Sequence, residues 1–399
     1  MSIGEVACVF DGPHATPRTV DEGPIFLSIS TLQDGVVNLA ETRHVTPEVF
    51  ARWTRRVVPQ PGDVVFSYET RLGQVAVIPD GLECCLGRRM GLVRFRDGLV
   101  MPRFFVYQYL SPPFREFLET QTIHGTTVDR ISIKAFPSFR ISVPPVDEQR
   151  RIVDLLDRAT ADITIAKTSA LRNLESARDV YDSRLREVFD RCVADWEIRT
   201  VGECCTVSSG GTPSRNKASY WAGPIPWVSA KDLKSDSIDD GLLHISSEAA
   251  ECSATKVAPV GSVLILVRGM GLANGVPIAE VIAPVAFNQD IKAIQPPADV
   301  VPRFLFLSMK SSLVRKGGTE LLSSAAHGTL KIDTDGIRRM TFAVPPRDRQ
   351  ESIISEMNVL CDETQRLESI YQRKAIALDE LRSSLLRQAF TEHTWPLSA

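Results

Sequence analysis

The sequence predicts an α+β protein. Two globular mixed α/β domains are separated by two long helices that form an antiparallel coiled coil, and the whole is an internal pseudo-two-fold repeat. Three observations carry this reading. Val143-Pro144-Pro145 returns as Val344-Pro345-Pro346, Gln149 as Gln350 and Phe189 as Phe390, always 201 positions on. Residues 147–190 contain neither Gly nor Pro, although the 25 prolines and 24 glycines are spread through the chain before and after them. Apolar residues in that stretch recur at alternating threes and fours, the spacing of a helix that seeks a partner of its own kind.

Residues 1–143 form the first domain. Short β-type runs such as "VVFSY" (64–68), "VAVI" (75–78) and "FFVYQYL" (104–110) lie between Pro and Gly punctuation, which predicts short strands with a few helices. Residues 144–192 are the first long helix, with Ile152, Leu156, Ile163 and Leu174 on its apolar stripe. The domain at 193–344 repeats the first: "MPRFF" (101–105) returns as "VPRFL" (301–305), "PGDVVFSY" (61–68) as "VGSVLILV" (260–267) and "HGTT" (124–127) as "HGTL" (327–330). Residues 345–393 are the second long helix, with Ile353, Met357, Leu360, Leu367 and Leu381 on its stripe. A helix of about 40 residues reaches roughly 60 Å, long enough to hold two domains apart. Residues 394–399 form a tail. Copy two opens with "DWEIRTVGECC" (195–205) while copy one begins at "MSIGEVAC", so Trp395 to Ala399 are expected to complete the first domain's edge.

The junction "VPP-x-D-x-Q" has a physical reading of its own. Two prolines cannot continue a strand's hydrogen bonding and are tolerated at a helix start, and Asp147 and Asp348 are expected to cap the free N–H groups that follow.

Composition narrows the function. The chain has 399 residues, too many for one core, with 43% hydrophobic and 24% charged residues, as in an ordinary folded protein. No signal peptide or run of spanning length occurs, so a cytoplasmic location without membrane contact is expected. The eight cysteines include adjacent pairs but no C-x-x-C, and no metal site is expected. Net charge is −3, from 46 basic and 49 acidic residues, so any nucleic-acid binding must use local patches or a partner's charge.

Taken together, the duplication, the two helices and the "VPP…EQ" junctions resemble the specificity (S) subunit of Type I restriction-modification systems, over nearly the whole chain. The stretch "SSGGTPSRNKASYWAGPIPWVSAKDL" (208–233) resembles the opening of such a subunit's target recognition domain, and "FNQDIKAI" (287–294) adds to it. The resemblance implies that each domain reads one half of a bipartite, asymmetric site in double-stranded DNA. The helices would set the spacing and dock two methyltransferase (M) subunits, with restriction (R) subunits joining them. S-adenosylmethionine and ATP/Mg would then belong to those partners, and this chain would bind no cofactor and carry no catalytic residue.

Base edges are read by donors and acceptors on loops. In copy two, "GGTPSRNK" (210–217) offers Thr212, Ser214, Arg215, Asn216 and Lys217, with two glycines expected to let the backbone approach a ligand. Its counterpart "DGPHATPR" (11–18) offers His14, Thr16 and Arg18. A second set follows the matched strands, with Tyr68, Glu69 and Arg71 in copy one and Arg268 and Asn274 in copy two. His124, Thr126 and His327 form a third. "RWTRR" (52–56) reads as an ordinary basic helix face.

The alternative is an adenine-specific DNA methyltransferase with a fused recognition region. "SPPF" (111–114) matches the element that would hold the target amine, but its repeat counterpart is "KSSL" (310–313) and no Gly-rich cofactor loop precedes it. "GMGLANG" (269–275) lacks a third glycine, and no G-x-x-x-x-G-K-[ST] or H-E-x-x-H run occurs.

Overall fold

The computed structural model describes every residue except 97, 127, 192–195, 316–321, 325–329 and 392–399. The expected role of the tail and of His327 falls outside these described residues. The chain divides into two compact units, Met1–Leu171 with Gln372–Ala399, and Arg172–Tyr371. This division cuts both long helices, Val146–Arg191 and Arg347–Thr391, so each unit takes half of each helix.

The duplication is visible in topology. In the first unit an antiparallel sheet runs in the order Ala7–Asp11, Met90–Phe95, Val64–Ser67, Val75–Val77. In the second unit the corresponding order is Thr206–Ser209, Ile291–Gln295, Val263–Leu266, Ile278–Val281, with Ser237–Ile238 added at the edge. A smaller mixed sheet accompanies each, and each contains one parallel pair: Phe26 faces Cys85, and Trp227 faces Ala286. One helix follows in each unit, Pro102–Leu110 or Pro302–Arg315, with proline in its first turn, where a missing N–H costs nothing.

Both cores recruit the long helices. In the first unit Ile152, Val153 and Leu156 from one helix and Leu386 and Phe390 from the other pack with Phe104, Phe105 and Tyr109. In the second unit Tyr181, Leu185, Val188 and Phe189 join Ile353 and Met357 against Phe304 and Leu307. Each side chain so buried contributes about 1.5–3 kcal/mol, which is why the helices are parts of the domains and not free rods.

Within each unit the helix pair runs antiparallel. Arg178 pairs with Glu368 at 3.0 Å and Arg184 with Glu356, so partner numbers fall as the first helix advances. In the first unit Lys167 meets Asp379 at 2.7 Å while Ile152 and Leu156 share a core with Phe390. Ile163, Ala170, Ala177, Thr364 and Ala375 are buried along the seams.

Two expectations about the helices need correction. Leu367 and Leu381 are exposed, while beside them Glu368 pairs with Arg178 of the other helix and Arg382 pairs with Asp34 of the domain at 2.6 Å. Leu174 and Leu360 are only partly buried. A spacing of three or four fits either neighbour. The helix starts differ as well. Asp147 and Asp348 lie inside the helices' first turns, with Asp147 turned to Arg150 at 3.3 Å, so neither stands at the cap position. The first turns instead hang on the carbonyls of Pro145 and Pro346. Gln149 and Gln350, both fully buried, clamp the junctions: Gln149 Nε2 donates to the carbonyls of Leu99 and Pro144, and its Oε1 accepts from the Met101 amide. Gln350 repeats this with Asp299, Pro345 and Val301.

The N-terminal edges also correspond. Thr200 with Glu203 and Ser2 with Glu5 form equivalent capping boxes. Glu197–Thr200 pairs as a strand with Thr341–Val344, whereas in the first unit the pairing is a bridge between Ser2 and Arg140, continued by Met1 and Ile141.

Candidate nucleic-acid interface

Strand direction places the candidate loops. In the first unit Ala7–Asp11 ends, Met90–Phe95 begins and Val64–Ser67 ends at one end of the sheet, so the loops 12–18, 68–74 and 86–89 leave together. A bridge between Glu69 and Arg130 brings residues 124–130 to the same place. The three sets of candidates are thus neighbours in space.

Asp11 is the hub. The Tyr68 hydroxyl donates to Asp11 Oδ1 at 2.8 Å, and His14 Nε2 meets Oδ2 at 2.8 Å. Burial first, and then this hydrogen bond and the Asp11 charge, push the Tyr68 phenol well above its ordinary range, so it stays a donor. The Thr70 amide donates to the Asp129 carbonyl, and Asp129 holds His124 at 3.2 Å. Thr16, Arg18, Arg71 and Thr126 are exposed around this network, and the Arg71 carbonyl accepts from Ser67.

A cleft of about 520 Å³ opens here, lined among others by Thr16, Ser28, Arg43, Thr70, Arg88 and Arg89. The sequence reading did not select Arg43, Arg88 or Arg89. Arg89 and Thr70 both lie in the left-handed region, at φ 69° and 75°. They are held there by Arg89 Nη1 to Thr70 Oγ1 at 2.7 Å, Arg89 Nε to Glu69 at 3.0 Å and the Tyr68 amide on the Arg89 carbonyl. Backbone strain of this kind persists where the surroundings over-determine it, often at functional sites. The adjacent arginines between Gly87 and Met90 were the available signal. Arg56 of "RWTRR" also reaches this end, 3.9 Å from Asp11, while Arg52 lies over Trp53.

In the second unit the glycines of "GGTPSRNK" serve the protein's own packing. A Cβ at Gly210 would sit 2.2 Å from the Phe287 carbonyl oxygen, and one at Gly211 would sit 2.4 Å from the Ala254 carbonyl. The expected close approach to a ligand is therefore an approach to the chain's own strands. Trp227 Nε1 donates to the Gly211 carbonyl and Trp221 Nε1 to that of Ser214, both at 3.1 Å, so two indoles fix the loop.

On that rigid loop Thr212 Oγ1 donates to Gln289 Oε1 at 2.6 Å, which orients the exposed Gln289 amide. Arg215 stacks 4.6 Å over the Trp221 ring and Asn216 is exposed. Lys217 lies over Tyr220 and pairs with Glu248, which raises its ammonium pKa and offsets its charge. Gln289 was not selected from the sequence, although "FNQD" marked its neighbourhood. Arg268 joins the same end: the Val267 amide donates to the Asp290 carbonyl, and Arg268 bridges Lys331. Asn274 lies in the turn Met270–Asn274, and its side chain is outside the described residues.

The enzyme-like motifs dissolve into structure. Ser111 of "SPPF" is buried, its hydroxyl donates to the Gln108 carbonyl, and Pro112 and Pro113 open a helix. "GMGLANG" forms a short 3-10 turn. Among the described residues no cluster of His, Cys, Asp or Glu has the arrangement of a metal site, and no helix is long and apolar enough to cross a membrane.

Comparison with known proteins bears on this arrangement. The family described as "Type I restriction modification DNA specificity domain" matches residues 25–175 and 194–375, one stretch in each repeat. The specificity subunit of the Escherichia coli Type I restriction enzyme EcoR124I/EcoR124II is 28% identical over 261 residues, 63% of this chain and 61% of that protein. The MjaIX specificity subunit of Methanocaldococcus jannaschii is 25% identical over 174 residues, 42% of this chain and 38% of that protein. The matches thus span less than two thirds of either relative. Among solved structures, a chain from work on complex assembly and conformational transition of a type I R-M system superposes with a TM-score of 0.78 at 18% identity, covering 98% of this chain and 96% of that one. The HsdS subunit of Thermoanaerobacter tengcongensis gives 0.54 at 19%, covering 99% and 96%. At such identities these structures speak for the fold alone.

Proposed function

The chain belongs to the Type I restriction modification DNA specificity family, and from that premise we propose that it is the DNA sequence-specificity subunit of a Type I restriction-modification complex. Each sheet end reads one half of a bipartite, asymmetric site in double-stranded DNA. The long helices set the spacing between half-sites and dock two methyltransferase subunits, with restriction subunits joining the assembly. S-adenosylmethionine and ATP/Mg are bound by those partners, and this chain contributes recognition without catalysis.

The observation that carries this reading is one scaffold with two sets of side chains. The same strand ends present Asp11, Tyr68 and Arg89 in the first unit and Thr212, Gln289 and Arg268 in the second. A shared frame with unlike polar groups suits two unlike half-sites. No observation favours the fused methyltransferase, since the family match falls on specificity domains in both repeats.

Mapping methylated adenines across the host genome with and without the gene tests the proposal. The expected result is the loss of one bipartite motif. An unchanged methylation map would overturn it.

A further inference from the structure

The two units follow one plan but differ in charge at three equivalent positions. The first is the bridging residue after the central strand, Glu69 in one unit and Arg268 in the other, opposite Arg130 and Lys331 respectively. The second is the cross-strand partner, Gly91 opposite Phe66 and Lys292 opposite Ile265. The third is the residue against the N-terminal glycine, Pro137 beside Gly4 and Arg338 beside Gly202. A carboxylate, a glycine and a proline in the first unit correspond to three cations in the second.

Packing explains why the first unit cannot hold the lysine. Phe66 stacks on Phe136 with centroids 4.2 Å apart, and a Cβ at Gly91 would come within 2.6 Å of the Phe66 ring. In the second unit these rings are Ile265 and Ile337, and the smaller side chains leave room for Lys292, whose ammonium donates to the Ser209 hydroxyl across the strand pair. Burial, and then the charges of Arg338 and Arg268, lower the Lys292 pKa. Among the described residues no carboxylate forms an ion pair with Arg268, Lys292 or Arg338. Like charges gathered without an opposing one are relieved by a bound anion.

We propose that Arg268, Lys292 and Arg338, with the Ser209 hydroxyl, form a phosphodiester-binding site present in the second unit alone. This rests on the DNA-specificity reading and deepens it. Phosphate contacts fix register while base contacts specify. The site adjoins the Thr212 and Gln289 pair, so an anchored phosphate would set the register at which those groups meet a base edge. The second unit would then carry a phosphate anchor at positions where the first unit holds Glu69, Gly91 and Pro137.

The test uses the full chain assembled with its methyltransferase subunits. Binding is followed by fluorescence anisotropy over a salt series, with a duplex carrying the methylated motif and a scrambled duplex. Lys292→Ala, Arg268→Ala and the surface variant Arg338→Gln should each reduce the slope of log affinity against log salt by about one and weaken both duplexes alike, and Lys292→Arg should restore the slope. Unchanged slopes in variants that keep the wild-type thermal transition would overturn the site while leaving the DNA reading intact. Failure of the wild-type assembly to bind either duplex would sink both. Loss of subunit assembly in the variants, seen by size-exclusion chromatography, would assign the cations to a partner's carboxylates and overturn the site.

Discussion

Phe104 packs its ring 5.3 Å from that of Phe390, and their counterparts in the other unit, Phe304 and Phe189, meet at 5.4 Å. Each pair joins the domain helix of one repeat to the long helix of the other. The exchange is reciprocal, as a two-fold relation requires. It makes the end of the second helix part of the first unit's core.

Phe390→Ala should therefore destabilise the first unit by about 3–5 kcal/mol, the usual cost of deleting a buried ring. Hydrogen exchange should report faster opening in Pro102–Leu110 and not in Pro302–Arg315. Equal effects in both helices would contradict the assignment.

Gln149, itself fully buried, bonds three backbone groups, at Leu99, Met101 and Pro144. Gln149→Leu keeps the bulk but removes all three bonds, and should destabilise the junction by about 1–3 kcal/mol in all, since the freed groups are only part-buried. The Met101 amide should lose exchange protection, and Gln350→Leu should do the same at Val301.

Alkali should weaken the fold through its buried phenols. Tyr68, Tyr109 and Tyr181 are all raised above the ordinary tyrosine value, burial being the largest cause in each. The folded state then holds protons that the unfolded chain has released. Stability is complete below the unfolded value of about 10 and falls as pH rises beyond it. Denaturant midpoints measured between pH 8 and 11 should show this decline, and Tyr68→Phe should make it shallower.

Thr212 orients Gln289, so Thr212→Val should relax sequence preference at one base pair of one half-site. A bidentate base contact is worth about 1–3 kcal/mol of discrimination. Genome methylation in a strain carrying the variant should show a degenerate position in one half of the motif and an intact other half. Degeneracy in both halves would argue against a local role.

The candidate loops of both units were legible in part. Loop position after a strand pointed to Tyr68, Thr212 and Arg268, because strand ends and polar loops leave a sequence signature. Arg43, Arg88, Arg89 and Gln289 were missed because their relevance comes from what stands opposite them. Gly210 and Gly211 were recognised as a place of close approach, and the structure shows that the chain's own Phe287 and Ala254 carbonyls approach there.

The duplication, the strand-rich domains and the two long helices were determined by the sequence alone, since offset, Pro/Gly punctuation and helical period are properties of local order. Tertiary structure decided which side chains face which. Leu367 and Leu381 have the apolar character of a seam, yet both are exposed, while Glu368 beside the first reaches Arg178 of the other helix and Arg382 beside the second reaches Asp34 of the domain. Gly91 and Lys292 occupy one position in two repeats, and only the rings of Phe66 and Phe136 show why the first must be glycine. Periodicity fixes a face to within a residue or so. The choice between neighbours, and the charge a site can hold, depends on volumes and charges brought from distant parts of the chain.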